Sequence, residues 1–122
     1  MYNDIIIDNF TNPQKVGDIA LANCEFEIGN PVCGDRIKIQ LMVENNTISE
    51  ARFRAWGCAT SIATANLFCE SIEGKTTSDI NQKNDQDIES MLGQLEPSQH
   101  HCVHILKELH QQLVVQANAG AQ

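Results

Sequence analysis

Five cysteines, Cys24, Cys33, Cys58, Cys69 and Cys102, are the residues of this 122-residue chain with the most chemistry in them. Their number is odd. The opening Met1-Tyr2-Asn3-Asp4 lacks the basic segment and apolar run of a secretory signal, and no Arg- and Ser-rich transit segment is seen. A reducing, cytoplasmic setting is therefore expected, with free thiols serving metal binding or sulfur chemistry rather than a disulfide framework. Three of the five stand beside glycine, aspartate or histidine: Cys33 in Pro31-Val32-Cys33-Gly34-Asp35, Cys58 in Gly57-Cys58-Ala59-Thr60, and Cys102 in His100-His101-Cys102. Thiolates are soft ligands suited to iron–sulfur clusters and zinc. A thiol near a helix N-terminus gains from the positive end of the dipole, a benefit expected for Cys58 and Cys102.

A free cysteine is more often a small buried hydrophobe than a ligand. That reading suits Cys69, inside an apolar helical stripe, and Cys24, in a predicted strand. Cys102 also falls on an apolar stripe. The separations of 25 and 44 residues between Cys33, Cys58 and Cys102 match no standard ligand spacing, so spacing alone leaves a shared metal site and three buried thiols both open. Asp35 reads either as a turn or N-cap residue or as a hard, exchangeable oxygen ligand beside Cys33. His101 could fill the same position with an imidazole nitrogen. His100 and His104 lie close enough to compete, and His110 reads as a solvated helix residue.

These side chains need elements to hold them. Ile5, Ile6 and Ile7, closed by Asn12-Pro13, suggest a short amphipathic helix, although three β-branched residues also suit a strand. A strand over residues 20–28 ends in the turn signal Gly29-Asn30-Pro31. Ile37, Ile39 and Leu41 alternate with Lys38, Gln40 and Met42. After Glu44-Asn45-Asn46, Ile48, Ala51 and Phe53 resume, which predicts an antiparallel hairpin with one buried face.

Beyond Gly57 the period becomes helical: Ile62, Ala65, Phe68, Cys69 and Ile72, with Gly74 as the stop. Residues 78–92 predict one or two short polar helices ending at Gly93. A long last helix should start near residue 98, with Cys102, Ile105, Leu106, Leu109 and Leu113 on its apolar stripe and residues 116–122 as a frayed tail. Three strands followed by helices give an α+β class: one domain over residues 1–122, a three-stranded antiparallel sheet with helices on one face, and a long C-terminal helix.

Eight basic against sixteen acidic residues leave a net charge of −8. Such a surface repels phosphate backbones and anionic lipid, so neither nucleic acid nor membrane is an expected partner. No run approaches the roughly 20 apolar residues of a bilayer span. A basic protein partner or a metal cation fits the charge.

Four segments, in order and in spacing, carry a resemblance. They are Asp8-Asn9-Phe10-Thr11-Asn12-Pro13-Gln14-Lys15-Val16-Gly17, Pro31-Val32-Cys33-Gly34-Asp35, Ala51-Arg52-Phe53-Arg54-Ala55-Trp56-Gly57-Cys58-Ala59-Thr60-Ser61-Ile62-Ala63, and His101-Cys102. Over nearly the whole chain they resemble the U-type iron–sulfur scaffold family, IscU and the N-terminal domain of NifU. The resemblance implies a scaffold rather than an enzyme with turnover on a small substrate. Sulfur would come from a cysteine desulfurase, iron would bind, a ferredoxin would supply electrons, and a frataxin-like protein would regulate. A transient [2Fe-2S] cluster would be built and handed to carrier or acceptor apo-proteins.

By motif position, Cys33, Cys58 and Cys102 would be the thiolates. Asp35 and His101 would be the exchangeable ligands, and Cys102 the persulfide acceptor. Zinc would occupy the cluster-free site. The family's Leu-Pro-Pro-Val-Lys chaperone segment reads here Leu95-Glu96-Pro97-Ser98-Gln99, which argues against hand-off through an Hsp70-type chaperone and removes a cation near the thiolates. The alternative is a zinc-bound sulfurtransferase that relays sulfur from a desulfurase, as in the SufU-like branch. That branch carries an insertion between its second and third cysteines for which 44 residues leave no room. A nitrogenase-specific scaffold is a third reading. A closed structural zinc site fits least, for want of four well-spaced ligands.

Overall fold

The computed structural model describes residues 3–30 and 35–120. The chain enters through helix α1 (Asp4–Thr11), the helical alternative for the isoleucine run. Asn3 caps it: its side-chain oxygen accepts from the Ile6 N–H, while its amide donates to the carbonyls of Leu92 and Gln94. Ile6 is the residue that α1 buries.

Strands β1 (Cys24–Asn30), β2 (Asp35–Glu44) and β3 (Thr47–Trp56) form one antiparallel sheet in that order. The tight connection between β2 and β3 places Asn45 and Asn46 at φ 53° and 62°, a left-handed pair that asparagine tolerates and that matches the twist of a hairpin. β1 begins four residues later than the hydrophobic pattern suggests. The β2–β3 ladder has a bulge between Met42 and Val43, and on the β1 side of Val43 the Asn23 side chain stands in for a strand: its amide donates to the Val43 carbonyl and its oxygen accepts from the Val43 N–H. Ahead of it, Ala22 N–H turns back to the Ile19 carbonyl.

Phe26, Ile28, Ile37, Ile39, Leu41, Ile48, Ala51 and Phe53 fill the inner face of the sheet. The outer face carries Glu25, Glu27, Arg36, Lys38, Arg52 and Arg54, with Arg36 paired to Glu27 and Lys38 to Glu25. Helices lie against the inner face: α2 (Ala59–Ile72) on β3, and α5 (His101–Gly120) on β1 and α2. The short α3 (Thr77–Asn81) and α4 (Asp85–Ser90), each opened by a capping box, cover the remaining flank of α5. Pro97–Gln99 form a single 3₁₀ turn before α5, which continues as helix to Gly120. The expected α+β arrangement is present. Among the described residues no helix is long and apolar enough to cross a membrane.

α2 is the centre of the molecule. It is covered by α1, β3 and α5, so Thr60, Ser61, Thr64 and Asn66 are buried along with Ala63, Ala65, Phe68, Cys69 and Ile72. At its far end Glu73 gathers three donors: Lys15 Nζ at 2.6 Å, Arg52 Nη1 at 2.7 Å and the Ala51 N–H at 3.0 Å. These partners hold the Glu73 carboxyl below its ordinary range against the opposing effect of burial.

Candidate metal centre

The end of β3 fixes the first ligand candidate. After Trp56 the chain turns through Gly57 at φ +140°, and Cys58 becomes the N-cap of α2 with extended backbone. The Cys58 carbonyl accepts the first helical N–H groups, from Ser61 and Ile62. The cysteine side chain makes no cap bond and is exposed. Its Sγ lies 3.4 Å from Asp35 Oδ2, 2.8 Å from Thr60 Oγ1 and 3.6 Å from Ser61 Oγ.

Asp35 opens β2. Arg36 pairs with Trp56, and the Arg36 guanidinium lies over the indole at 4.3 Å, so Asp35 arrives beside Gly57. The approach is close enough that a methyl group on Gly57 would lie 2.1 Å from Asp35 Oδ1. Ser61 donates to Asp35 Oδ2 at 2.8 Å. From the third element, α5, come His101 and Cys102. His101 is exposed, with Nε2 3.1 Å from Thr60 Oγ1 and 4.0 Å from Cys102 Sγ.

Asp35, Cys58, His101 and Cys102 thus meet at one end of the sheet. Cys33, the fifth candidate, lies outside the described residues. Sulfur, nitrogen and oxygen donors of mixed hardness suit zinc or iron, and in that sense the residues fit the group. Among the described residues no group of three His, Cys, Asp or Glu side chains stands close enough together to hold a metal ion. The hydroxyls of Thr60 and Ser61 are interleaved among them. A cavity of about 290 Å³ beside the cluster is lined by Asp35, His101, Ser61, Arg36, His104 and Glu108. His100 faces a different cavity, with Glu89, Leu95 and Lys107.

Comparison with known proteins matches the description NifU-like N terminal domain to residues 1–119. The chain belongs to that family. The NifU-like domain is 34% identical over 115 residues to iron-sulfur cluster assembly scaffold protein IscU 1 of Archaeoglobus fulgidus, covering 94% of this chain and 75% of the relative. It is 36% identical over 112 residues to iron-sulfur cluster assembly scaffold protein IscU of Aquifex aeolicus, covering 89% and 71%. In three dimensions it is similar to a crystal structure of a proposed SUF-system scaffold protein from Fervidobacterium islandicum. The TM-score is 0.64 at 23% identity, covering 95% of this chain and 90% of the other, a likeness of fold.

Three sequence-based expectations change in this NifU-like domain. Cys102, on an apolar stripe, was also expected to have its thiolate favoured by the helix terminus. It is fully buried, and burial pushes its thiol up, with hydrogen bonds from Thr64 and Thr60 opposing. His110, expected in solvent, is 4% exposed: its Nδ1 lies 2.8 Å from the Leu106 carbonyl and its ring meets Phe68 edge-on at 5.0 Å. The third concerns Thr60, Ser61 and Thr64, which no apolar stripe includes although all three are buried. The available signal was their spacing of i, i+1 and i+4 directly after Gly57-Cys58.

Cys69 is a core thiol, and Cys24 is a half-buried one packed against the core. Cys69 is buried, about 16 Å along α2 from Cys58 at 1.5 Å per residue, and burial raises it far above the ordinary thiol range. Cys24 pairs with Leu41 at the end of β1 remote from Asp35, and burial raises it too. Iodoacetamide is therefore expected to label Cys58 at least about tenfold faster than Cys102 in metal-free protein, with Cys69 inert until unfolding. Peptide mass mapping over time checks the order. Equal rates for Cys58 and Cys102 would contradict the described packing.

Proposed function

We propose that this NifU-like domain is a scaffold for iron–sulfur cluster assembly, with the cluster as its cargo. The observation that carries the reading is the convergence of Asp35, Cys58, His101 and Cys102 from the starts of β2, α2 and α5. It is supported by the scaffold names of relatives at 34% and 36% identity. Cys33, Cys58 and Cys102 supply the thiolates, and Asp35 and His101 the exchangeable oxygen and nitrogen ligands. The cargo is a transient [2Fe-2S] cluster, and zinc occupies the cluster-free site. Sulfur arrives from a cysteine desulfurase: the Cys102 thiolate attacks the outer sulfur of the donor persulfide, a new S–S bond forms, and the desulfurase cysteine leaves as thiolate. Because Cys102 is buried beside His101, this step requires the first turn of α5 to move aside.

Electrons come from a ferredoxin, a frataxin-like protein regulates, and acceptor or carrier apo-proteins take the product. The setting is cytoplasmic. Glu96 and Gln99 replace a proline and the lysine of the family's chaperone segment, so hand-off proceeds without a dedicated Hsp70-type chaperone.

Anaerobic reconstitution with ferrous iron, cysteine, a cysteine desulfurase and a reductant tests the proposal. Visible charge-transfer bands with matched iron and acid-labile sulfide are expected. They should be lost in Cys33→Ser, Cys58→Ser and Cys102→Ser and kept in Cys69→Ser. Tightly held zinc without a cluster, with persulfide on Cys102 and a faster desulfurase, would replace the scaffold reading by the sulfurtransferase one. Asp35→Ala is expected to retain the cluster longer than wild type, because the hard carboxylate is the ligand most readily exchanged on release. Faster cluster loss in that variant would remove Asp35 from this role.

A further inference from the structure

Thr60 is the second residue of α2 and 2% exposed, in a helix whose Ala63, Phe68 and Cys69 are buried as well. A hydroxyl in such surroundings costs free energy unless it is hydrogen-bonded. One turn on, Thr64 meets this need in the usual helical way by donating to the Thr60 carbonyl at 2.6 Å. Thr60 does something different. Its Oγ1 contacts Cys58 Sγ at 2.8 Å and His101 Nε2 at 3.1 Å. One hydroxyl therefore touches ligand candidates from two separate elements, while its neighbour Ser61 serves the third through Asp35.

We propose that Thr60 is a positioning residue of the metal centre, its hydroxyl holding Cys58 and His101 together and donating a hydrogen bond to the Cys58 sulfur when that sulfur ligates a metal. The inference rests on the metal-centre reading above. A hydroxyl carries one donor and two acceptor lone pairs and rotates freely about its C–O bond. Beside a thiol it accepts. Beside a metal-bound thiolate, which has no proton to give, it turns and donates. Valine has the same shape and can do neither. Hydrogen bonds of this kind orient ligands and tune the charge on a coordinating sulfur, and their removal typically weakens metal binding about 10–100-fold.

The test uses Co(II) as probe on the metal-free full chain, with affinity measured by chelator competition and the sulfur-to-cobalt charge-transfer band recorded. Thr60→Val is expected to bind Co(II) about 10–100-fold more weakly, with the charge-transfer band shifted. Thr60→Ser, which restores the hydroxyl, should recover affinity to within about threefold and return the band to its wild-type position. Thr60→Ala carries the same expectation as Thr60→Val and decides the matter where the valine variant does not fold. Affinity and band unchanged in the variants lacking the hydroxyl would overturn the proposal. A wild-type protein giving no sulfur-to-cobalt band at all would instead overturn the metal-centre reading on which it rests.

Discussion

Gly57→Ala is expected to disable the proposed metal centre, whereas Gly74→Ala leaves it intact. Both glycines hold left-handed backbone, at φ +140° and +85°. At Gly74 a new methyl group meets nothing within 4 Å, so the cost is conformational alone, about 1–2 kcal/mol. At Gly57 the methyl would lie 2.1 Å from Asp35 Oδ1, 2.6 Å from its Cγ and 3.1 Å from its α-carbon. The carboxylate can relieve the first two clashes by rotating away, but in doing so it abandons Ser61 and Cys58. The third clash is with backbone, which no side-chain rotation relieves, so the start of β2 must shift as well. Strain of roughly 1–3 kcal/mol in stability and a loss of at least about tenfold in metal affinity follow. Urea midpoints and Co(II) affinities of the two variants, measured side by side, check this. Wild-type affinity in Gly57→Ala would show that Asp35 has no part in the site.

The second large effect belongs to His110. Burial holds its imidazole down to about 4, with the nearby Lys83 acting in the same direction and the Leu106 carbonyl opposing. An unfolded histidine titrates near 6.5. Between these values the unfolded chain binds more protons than the folded one, so the contribution to stability is fully present above about pH 6.5 and lost as pH falls toward 4. At 1.36 kcal/mol per unit the loss is about 3 kcal/mol, most of it by pH 4.5. His110→Phe keeps an aromatic ring against Phe68, and the Leu106 carbonyl retains its helical N–H partner. That variant is expected to lose about 2 kcal/mol less than wild type between pH 7 and pH 4.5 in urea unfolding. Parallel losses in the two proteins would assign the acid sensitivity elsewhere.

The hairpin was legible because Ile37, Ile39 and Leu41 face a core and their neighbours face water, which forces period two. α2 was legible as a helix but not in its polar content. A helix covered by α1, β3 and α5 buries residues nearly all round, so apolar periodicity stops distinguishing lining from core. Thr60, Ser61 and Thr64 fell through that gap. His110 was misjudged for a related reason. It lies four residues after Leu106 and one after Leu109, at the edge of the stripe, where residue type suggested solvent and the packing of α2 and Phe68 decided otherwise. Cys102 satisfied both readings weighed for it: it is a core residue of α5 and also the neighbour of His101. The start of β1 was missed because Asn23 continues the ladder with its side chain, a substitution that hydrophobic alternation does not register.

The anchoring of α2 has a mechanical consequence. β3 and α2 run back to back, joined covalently through Gly57-Cys58 at one end. At the other end they are fastened by Glu73 and by the exchange of hydrogen bonds between Ile48 and the Gly74–Lys75 backbone, at 2.7 and 2.9 Å. A strip secured at both ends behaves as an anvil: Cys58, Thr60 and Ser61 sit on the stiff part of the molecule. Asp35 and the His101–Cys102 pair each stand at the first turn or first rung of another element, and His101 directly follows the short 3₁₀ turn. The site is therefore a vice with one fixed jaw. Opening it to admit or release cargo calls for small displacements of two chain entries and leaves the strand–helix frame, and with it most of the core, undisturbed.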